Sequence, residues 1–159
     1  MNNYISKEGY DALKVKMAKL KAISDDLIEQ IALNRSQETG DESENNEYMR
    51  LMAEVNGVKK KEADLSEFCS NCTIVDLEPK RGSKSDKVRF GCTVKLVDIE
   101  TDKEHTFTIL GAMEANPKEN SISYQSPTGS ALIGKSVGDE IAVDTPKGDI
   151  EYEILDIYF

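Results

Sequence analysis

No proline occurs before residue 79, and within that span apolar side chains recur on alternating four- and three-residue steps. Leu13, Met17, Leu20, Leu27 and Ile31 form one series, with Ser24 in its polar gap. Tyr48, Leu51, Val55, Val58, Leu65, Cys69 and Cys72 form a second, interrupted at Glu62. A seam of this period is what two helices need to pack along their length. The spacing predicts a first helix over 6–38, opened by Ser6 although Gly9 weakens its first turn. The second is predicted over 48–72.

The segment between them reads Glu38-Thr39-Gly40-Asp41-Glu42-Ser43-Glu44-Asn45. Gly40 can end the first helix in a left-handed conformation, and Asp41 or Ser43 can cap the second. Acids suit the positive end of that second helix. So short a connection makes the helices antiparallel, which pairs Leu13 with Cys69, Met17 with Leu65, Leu27 with Val55 and Ile31 with Leu51. Each polar seam residue then faces an apolar one, Ser24 opposite Val58 and Glu62 opposite Leu20. A helix of this length extends about 45 Å, so the expectation is a finger with an acidic turn at its tip.

After residue 75 the period changes from helical to alternating. Thr73–Leu77, Val88–Val97, His105–Leu110, Ser121–Tyr124, Glu140–Val143 and Glu151–Ile157 favour strands, separated by turn residues such as Asn116-Pro117 and Gly138-Asp139. The last two are expected to form a hairpin across Pro146-Lys147-Gly148-Asp149, and Ser130–Lys135 supplies one short helical turn. The fold class is therefore α+β. An N-terminal antiparallel coiled-coil hairpin over 1–75 is followed by a small antiparallel, twisted sheet domain over 76–159.

Composition narrows the function classes. With 30 acidic and 20 basic residues the formal charge is −10, unsuited to general duplex binding, which draws its affinity from neutralised phosphates. No run approaches the ~20 apolar residues of a membrane span, and Met1–Lys7 lacks the basic and apolar regions of a secretory leader. Three cysteines make no disulfide framework, and a single histidine removes most imidazole chemistry. These features point to a cytoplasmic protein without an active site of its own. Cys69-Ser70-Asn71-Cys72 with Cys92 and His105 would complete four zinc ligands only if the fold assembled them. The pair sits instead at a predicted helix C-terminus, where the dipole disfavours thiolates, and His105 reads as an exposed strand residue. Lys80, Arg81, Lys84, Lys87 and Arg89 form a dense basic stretch, read as a solvated loop.

Two motifs some eighty residues apart carry a resemblance. Gly40-Asp41-Glu42-Ser43-Glu44-Asn45-Asn46-Glu47-Tyr48 resembles the tip signature Gly-Asp-x-x-Glu-Asn-Ala-Glu-Tyr of the bacterial Gre transcript cleavage factors, departing only at Asn46. Ile122-Ser123-Tyr124-Gln125-Ser126-Pro127, followed by Ala131-Leu132-Ile133-Gly134-Lys135, resembles the same family's Ile-Ser-x-x-Ser-Pro and Ala-Leu-Ile-Gly-Lys block. Phe90–Val94 and Gly138-Asp139 also fall in family order. The GreA branch is the more similar, since the second helix lacks the basic content of GreB.

The resemblance implies a coiled-coil hairpin and an FKBP-like docking domain. It also implies an accessory factor rather than an enzyme. Such a factor enters the secondary channel of bacterial RNA polymerase and stimulates the polymerase to cleave the extruded 3′ end of a backtracked RNA. By this carry-over Asp41 and Glu44 retain the second Mg²⁺ of the polymerase active site. No cofactor is bound stably by the chain alone, and Mg²⁺ is shared with the polymerase. Two carboxylates are too few for six-coordinate Mg²⁺, which suits a site completed by a partner. Asn45, Tyr48, Arg35 and Arg50 are assigned to shaping the tip or contacting RNA, and Ser126 and Pro127 to polymerase docking. No membrane is involved, and a monomer is expected. Gln37 stands where the family usually has an arginine, and residues 38–47 hold five acids and no base. These departures motivate the alternative of a channel-binding regulator that does not promote cleavage.

Overall fold

The computed structural model describes residues 3–37 and 46–159. The chain divides into two compact units, Tyr10–Asn71 and the combination of Met1–Gly9 with Cys72–Phe159. In the first, α1 (Lys7–Gln37) and α2 (Asn46–Asn71) pack against each other. Met17 Sδ meets Cys69 Sγ at 3.8 Å, and Leu27 packs with Leu51 and Val55. Rising numbers in α1 thus meet falling numbers in α2, and the helices are antiparallel. Every seam residue named from the sequence is buried or half-buried, while its neighbours outside the stripe are mostly exposed. Ser24 is buried as well, in the seam position it was assigned.

Ser6 caps α1, its Oγ accepting the Gly9 N–H at 2.9 Å. Gly9, a poor residue for a first helical turn, has a tertiary reason to be there. A Cβ at this position would overlap the carboxylate of Glu114. That carboxylate accepts the N–H groups of Ser6 (2.9 Å) and Gly111 (3.0 Å) and the Ser6 hydroxyl. Immediately before the cap, β1 (Asn3–Ser6) pairs in parallel with β2 (Cys72–Val75), Ile5 opposite Ile74. The sequence contains no local signal for β1. Its four residues run straight into a helix, and their partner lies beyond the second one.

The remaining strands, β3 (Thr93–Asp98), β4 (Glu104–Leu110), β5 (Ser121–Ser123), β6 (Glu140–Thr145) and β7 (Gly148–Tyr158), form one sheet in the order β5-β4-β3-β7-β6. The β6–β7 hairpin is as expected, with Ile141 opposite Tyr152 and Val143 opposite Ile150. The sheet is mixed rather than wholly antiparallel, because β5 runs parallel to β4. Residues 111–120 do not make a tight turn there. They fold through two turns, the second a 3-10 segment over Pro117–Glu119, and return the chain in its original direction. A bulge in the β3–β7 pairing shifts the register after Ile154. It lets both Ile154 and Ile157 face inward, opposite Leu96 and Val94, although an uninterrupted strand would send them to opposite faces. These four join Val88, Ile109, Leu132, Ile141 and Val143 in the sheet core.

Candidate polymerase-channel and docking elements

Of the residues assigned to the tip, Asp41, Glu44 and Asn45 lie outside the described residues, between the end of α1 and the start of α2. The flanking residues are defined. The Arg35 guanidinium carbon lies 5.3 Å from the centroid of the Tyr48 ring, a cation–π contact between the facing helices. Tyr48 is half-buried, consistent with its seam position. Arg50 is held on the surface of α2. It binds Glu47 through two hydrogen bonds of 2.7 and 3.0 Å and Glu54 through one of 3.0 Å. The hydrogen bond from Arg50 holds the Glu47 carboxyl below its ordinary value, and the same bond raises Arg50. Both cations nominated for RNA contact therefore already have partners within the hairpin.

The second block is an accurately built turn. Ser126 is the N-cap of α3 (Pro127–Leu132), its Oγ accepting the Gly129 N–H at 3.1 Å and donating to the Ser123 carbonyl at 2.6 Å. Pro127 occupies the first helical position, where its missing N–H costs nothing. Gly129 is buried against β5, and a Cβ there would overlap the Ser123 carbonyl oxygen. The Ser-Pro pair therefore sets the geometry of the block. Ser126 is half-buried, while Pro127 is exposed.

The residues of the four-ligand zinc set stand in different surroundings. Cys92 is buried in the sheet core and Cys69 packs in the helical seam. His105 is half-buried, stacked on Phe107 at 6.0 Å and edge-on to Tyr152 at 5.9 Å. Among the described residues no group of three or more His, Cys, Asp or Glu side chains converges as a metal site. No described helix is long and apolar enough to cross a membrane. Glu114 belongs to no motif of the sequence. A lone glutamate in a loop has no sequence signal, and only Gly9 in a first helical turn hinted that something had to fit against it.

Residues 3–74 match the family model described as transcription elongation factor, N-terminal, and residues 83–159 match that of transcription elongation factor, GreA/GreB, C-term. The transcription elongation factor GreA of a Nitratiruptor species is 38% identical over 151 residues, covering 95% of this chain and 90% of that one. The chain belongs to the GreA/GreB family of transcription elongation factors. GreA of Helicobacter pylori is 33% identical over 156 residues, 98% of this chain and 92% of its own. The crystal structure of GreA factor homolog 1 (Gfh1) of Thermus thermophilus aligns over 100% of both chains at 23% identity, with a TM-score of 0.43. Both halves of this GreA/GreB chain are matched by the family models, in order.

Proposed function

We propose that this chain is a cytoplasmic accessory factor that stimulates bacterial RNA polymerase to cleave backtracked transcripts, without itself being an enzyme. Its hairpin enters the secondary channel and its sheet domain, 76–159, docks at the channel rim through Ser126 and Pro127. The carrying observation is the pair of closely packed helices whose connection holds Asp41 and Glu44. Two packed helices of roughly 45 Å make a narrow probe, and the connecting sequence carries the two carboxylates. Within the polymerase, Asp41 and Glu44 supply hard oxygen ligands for the second Mg²⁺, the donor type this ion prefers, with the remaining ligands coming from the partner. An ion held there by Asp41 and Glu44 would supply Lewis-acid chemistry, lowering the pKa of a bound water and neutralising charge on the phosphate. A carboxylate at the tip also orients that water or accepts its proton. Tyr48, held by Arg35, fixes the base of the tip, and Asn45 contacts the RNA end. A monomer fits passage into a channel.

The test is cleavage of RNA in a deliberately backtracked bacterial elongation complex in the presence of Mg²⁺. Wild-type protein should yield shortened, re-extendable RNA. Asp41→Asn or Glu44→Gln should lower the rate at least about tenfold, equivalent to roughly 1.4 kcal/mol of barrier. Full activity in Asp41→Asn would refute the assignment. A second reading, a channel-binding regulator without cleavage activity, is favoured by the engagement of Arg50 with Glu47 and Glu54, which leaves that cation already paired. It predicts channel occupancy and reduced initiation at promoters without RNA shortening.

A further inference from the structure

A groove beside the α1–α2 seam changes charge along its length. Residues 12–24 and 55–61, which the antiparallel packing sets side by side, hold seven lysines and no acid. Lys16 and Lys61 line a cavity of about 390 Å³ over Leu20 and Leu65, with Asp64 as its one carboxylate. Both lysines are exposed, as is Lys19, and none of the three has an ion-pair partner among the described residues. Nearer the connecting turn the sign reverses. Asp26, Arg50 and Glu54 line a second cavity of about 520 Å³, and Glu47 lines a third of about 200 Å³. Three carboxylates there meet one guanidinium, which already bonds Glu47 and Glu54.

The three cavities follow one groove. Lys16, Leu20, Ile23, Leu27 and Gln30 step by four and three along α1, so they share one side of that helix. Lys16 and Asp26 stand ten residues apart, about 15 Å at the helical rise, too far to neutralise each other within one hairpin. Ile23 lies between the two ends and is 47% exposed. A groove with opposite charges on either side of an apolar centre is complementary to itself turned end for end. With a two-fold axis at Ile23, Lys16 reaches the level of the second copy's Gln30, where Glu47 and Glu54 line the groove. Lys61, which shares its cavity with Leu20, reaches the second copy's Asp26 by the same operation. The groove is about 28 Å long and a two-helix face about 20 Å wide, so roughly 560 Å² per chain is covered, below the ~800 Å² of a standard stable interface. Such a pairing is weak, reversible and sensitive to salt.

We propose that this groove is a self-association surface on which a second copy of the chain pairs antiparallel with the first. Lys16 and Lys61 of each copy meet Asp26, Glu47 and Glu54 of the other, and the two Ile23 side chains meet at the axis. The pairing itself does not depend on the polymerase reading above. Its consequence rests on that reading: a paired hairpin is wider than a single one and must dissociate before entering a channel, so the pair is an idle form.

The experiment is sedimentation velocity of the full-length chain from about 1 to about 500 µM, at low and at high salt. No polymerase is present, so its outcome is independent of the cleavage test. Wild type should shift from one chain to two as concentration rises, and salt should reverse the shift. Lys16→Glu/Lys61→Glu and Asp26→Lys/Glu54→Lys, each first shown to keep the wild-type far-UV spectrum, should each weaken pairing by about tenfold or more. Mixed in equal amounts, the two variants should pair again, because every contact between unlike chains is then attractive. Lys118→Glu/Lys147→Glu, exposed positions of the sheet domain that bring the same change in net charge, should pair like wild type. A wild type that stays a single chain throughout overturns the proposal. Pairing that survives both groove variants, or variants that lose pairing and do not regain it when mixed, overturns it as well.

Discussion

Removing one hydroxyl separates a capping role for Ser126 from a purely contact-making one. In Ser126→Ala the Gly129 N–H loses its acceptor at 3.1 Å, and the Ser123 carbonyl loses the hydroxyl at 2.6 Å. That carbonyl keeps the Ser126 N–H at 3.0 Å, so it stays satisfied, whereas the N–H of buried Gly129 does not. Loss of an N-cap costs about 0.5–2 kcal/mol, and an unsatisfied buried donor about 1–3 kcal/mol. The two descriptions overlap, and ~1.5–2 kcal/mol is the expected loss. For a domain of this size that lowers the melting temperature by about 6–16 °C. Near-UV circular dichroism of the tyrosines follows it, since Tyr4, Tyr124, Tyr152 and Tyr158 lie in the sheet unit. Ser126→Thr keeps the oxygen and should recover most of the loss. Melting of Ser126→Ala within about 1 °C of wild type would refute the capping argument and return Ser126 to a purely surface role.

Glu114→Ala should cost about 3 kcal/mol, because three donors lose a charged acceptor, each such bond contributing roughly 1.5–3 kcal/mol before relaxation. Urea denaturation reads the loss, and amide exchange should accelerate specifically at Ser6 and Gly111. Leu51→Ala, at a site 2% exposed between Leu27 and Val55, should destabilise the hairpin by about 2–5 kcal/mol, read from the far-UV melt. Glu47 has a folded-state value depressed below 4.5 by Arg50. Its contribution is present above that ordinary value and is lost as pH falls through the folded one, with the window lying below 4.5. Carboxyl-carbon NMR should show Glu47 titrating there, and Arg50→Gln should bring it back toward 4.5.

The hairpin was legible because a seven-residue seam is a local property, and Leu13 through Ile31 announce their buried face within one helix. The β6–β7 hairpin was legible for a similar reason, since alternation on both sides of Pro146-Lys147 sets its register. The direction of β5 was not. Whether ten-odd residues turn back or return forward depends on how 111–120 pack, and both outcomes suit the same turn-rich text. The tip signature and the Ser-Pro block were readable as motifs. That Ser126 acts as a cap, and that Arg50 is tied to Glu47 and Glu54, emerged only from the folded chain.

By itself the sequence determined the two helices, their antiparallel sense, the family and the residues in the connecting turn. All of these follow from short-range periodicity or from contiguous motifs. Only the tertiary structure decided that β1 pairs with β2 and that Glu114 reaches Ser6 across 108 positions. It also decided that Lys87 and Arg89, without an ion-pair partner among the described residues, stand beside an aromatic cavity. Each of these depends on which distant groups the folded chain brings within bonding distance. A side chain's partner, unlike its period, is not encoded in its neighbours.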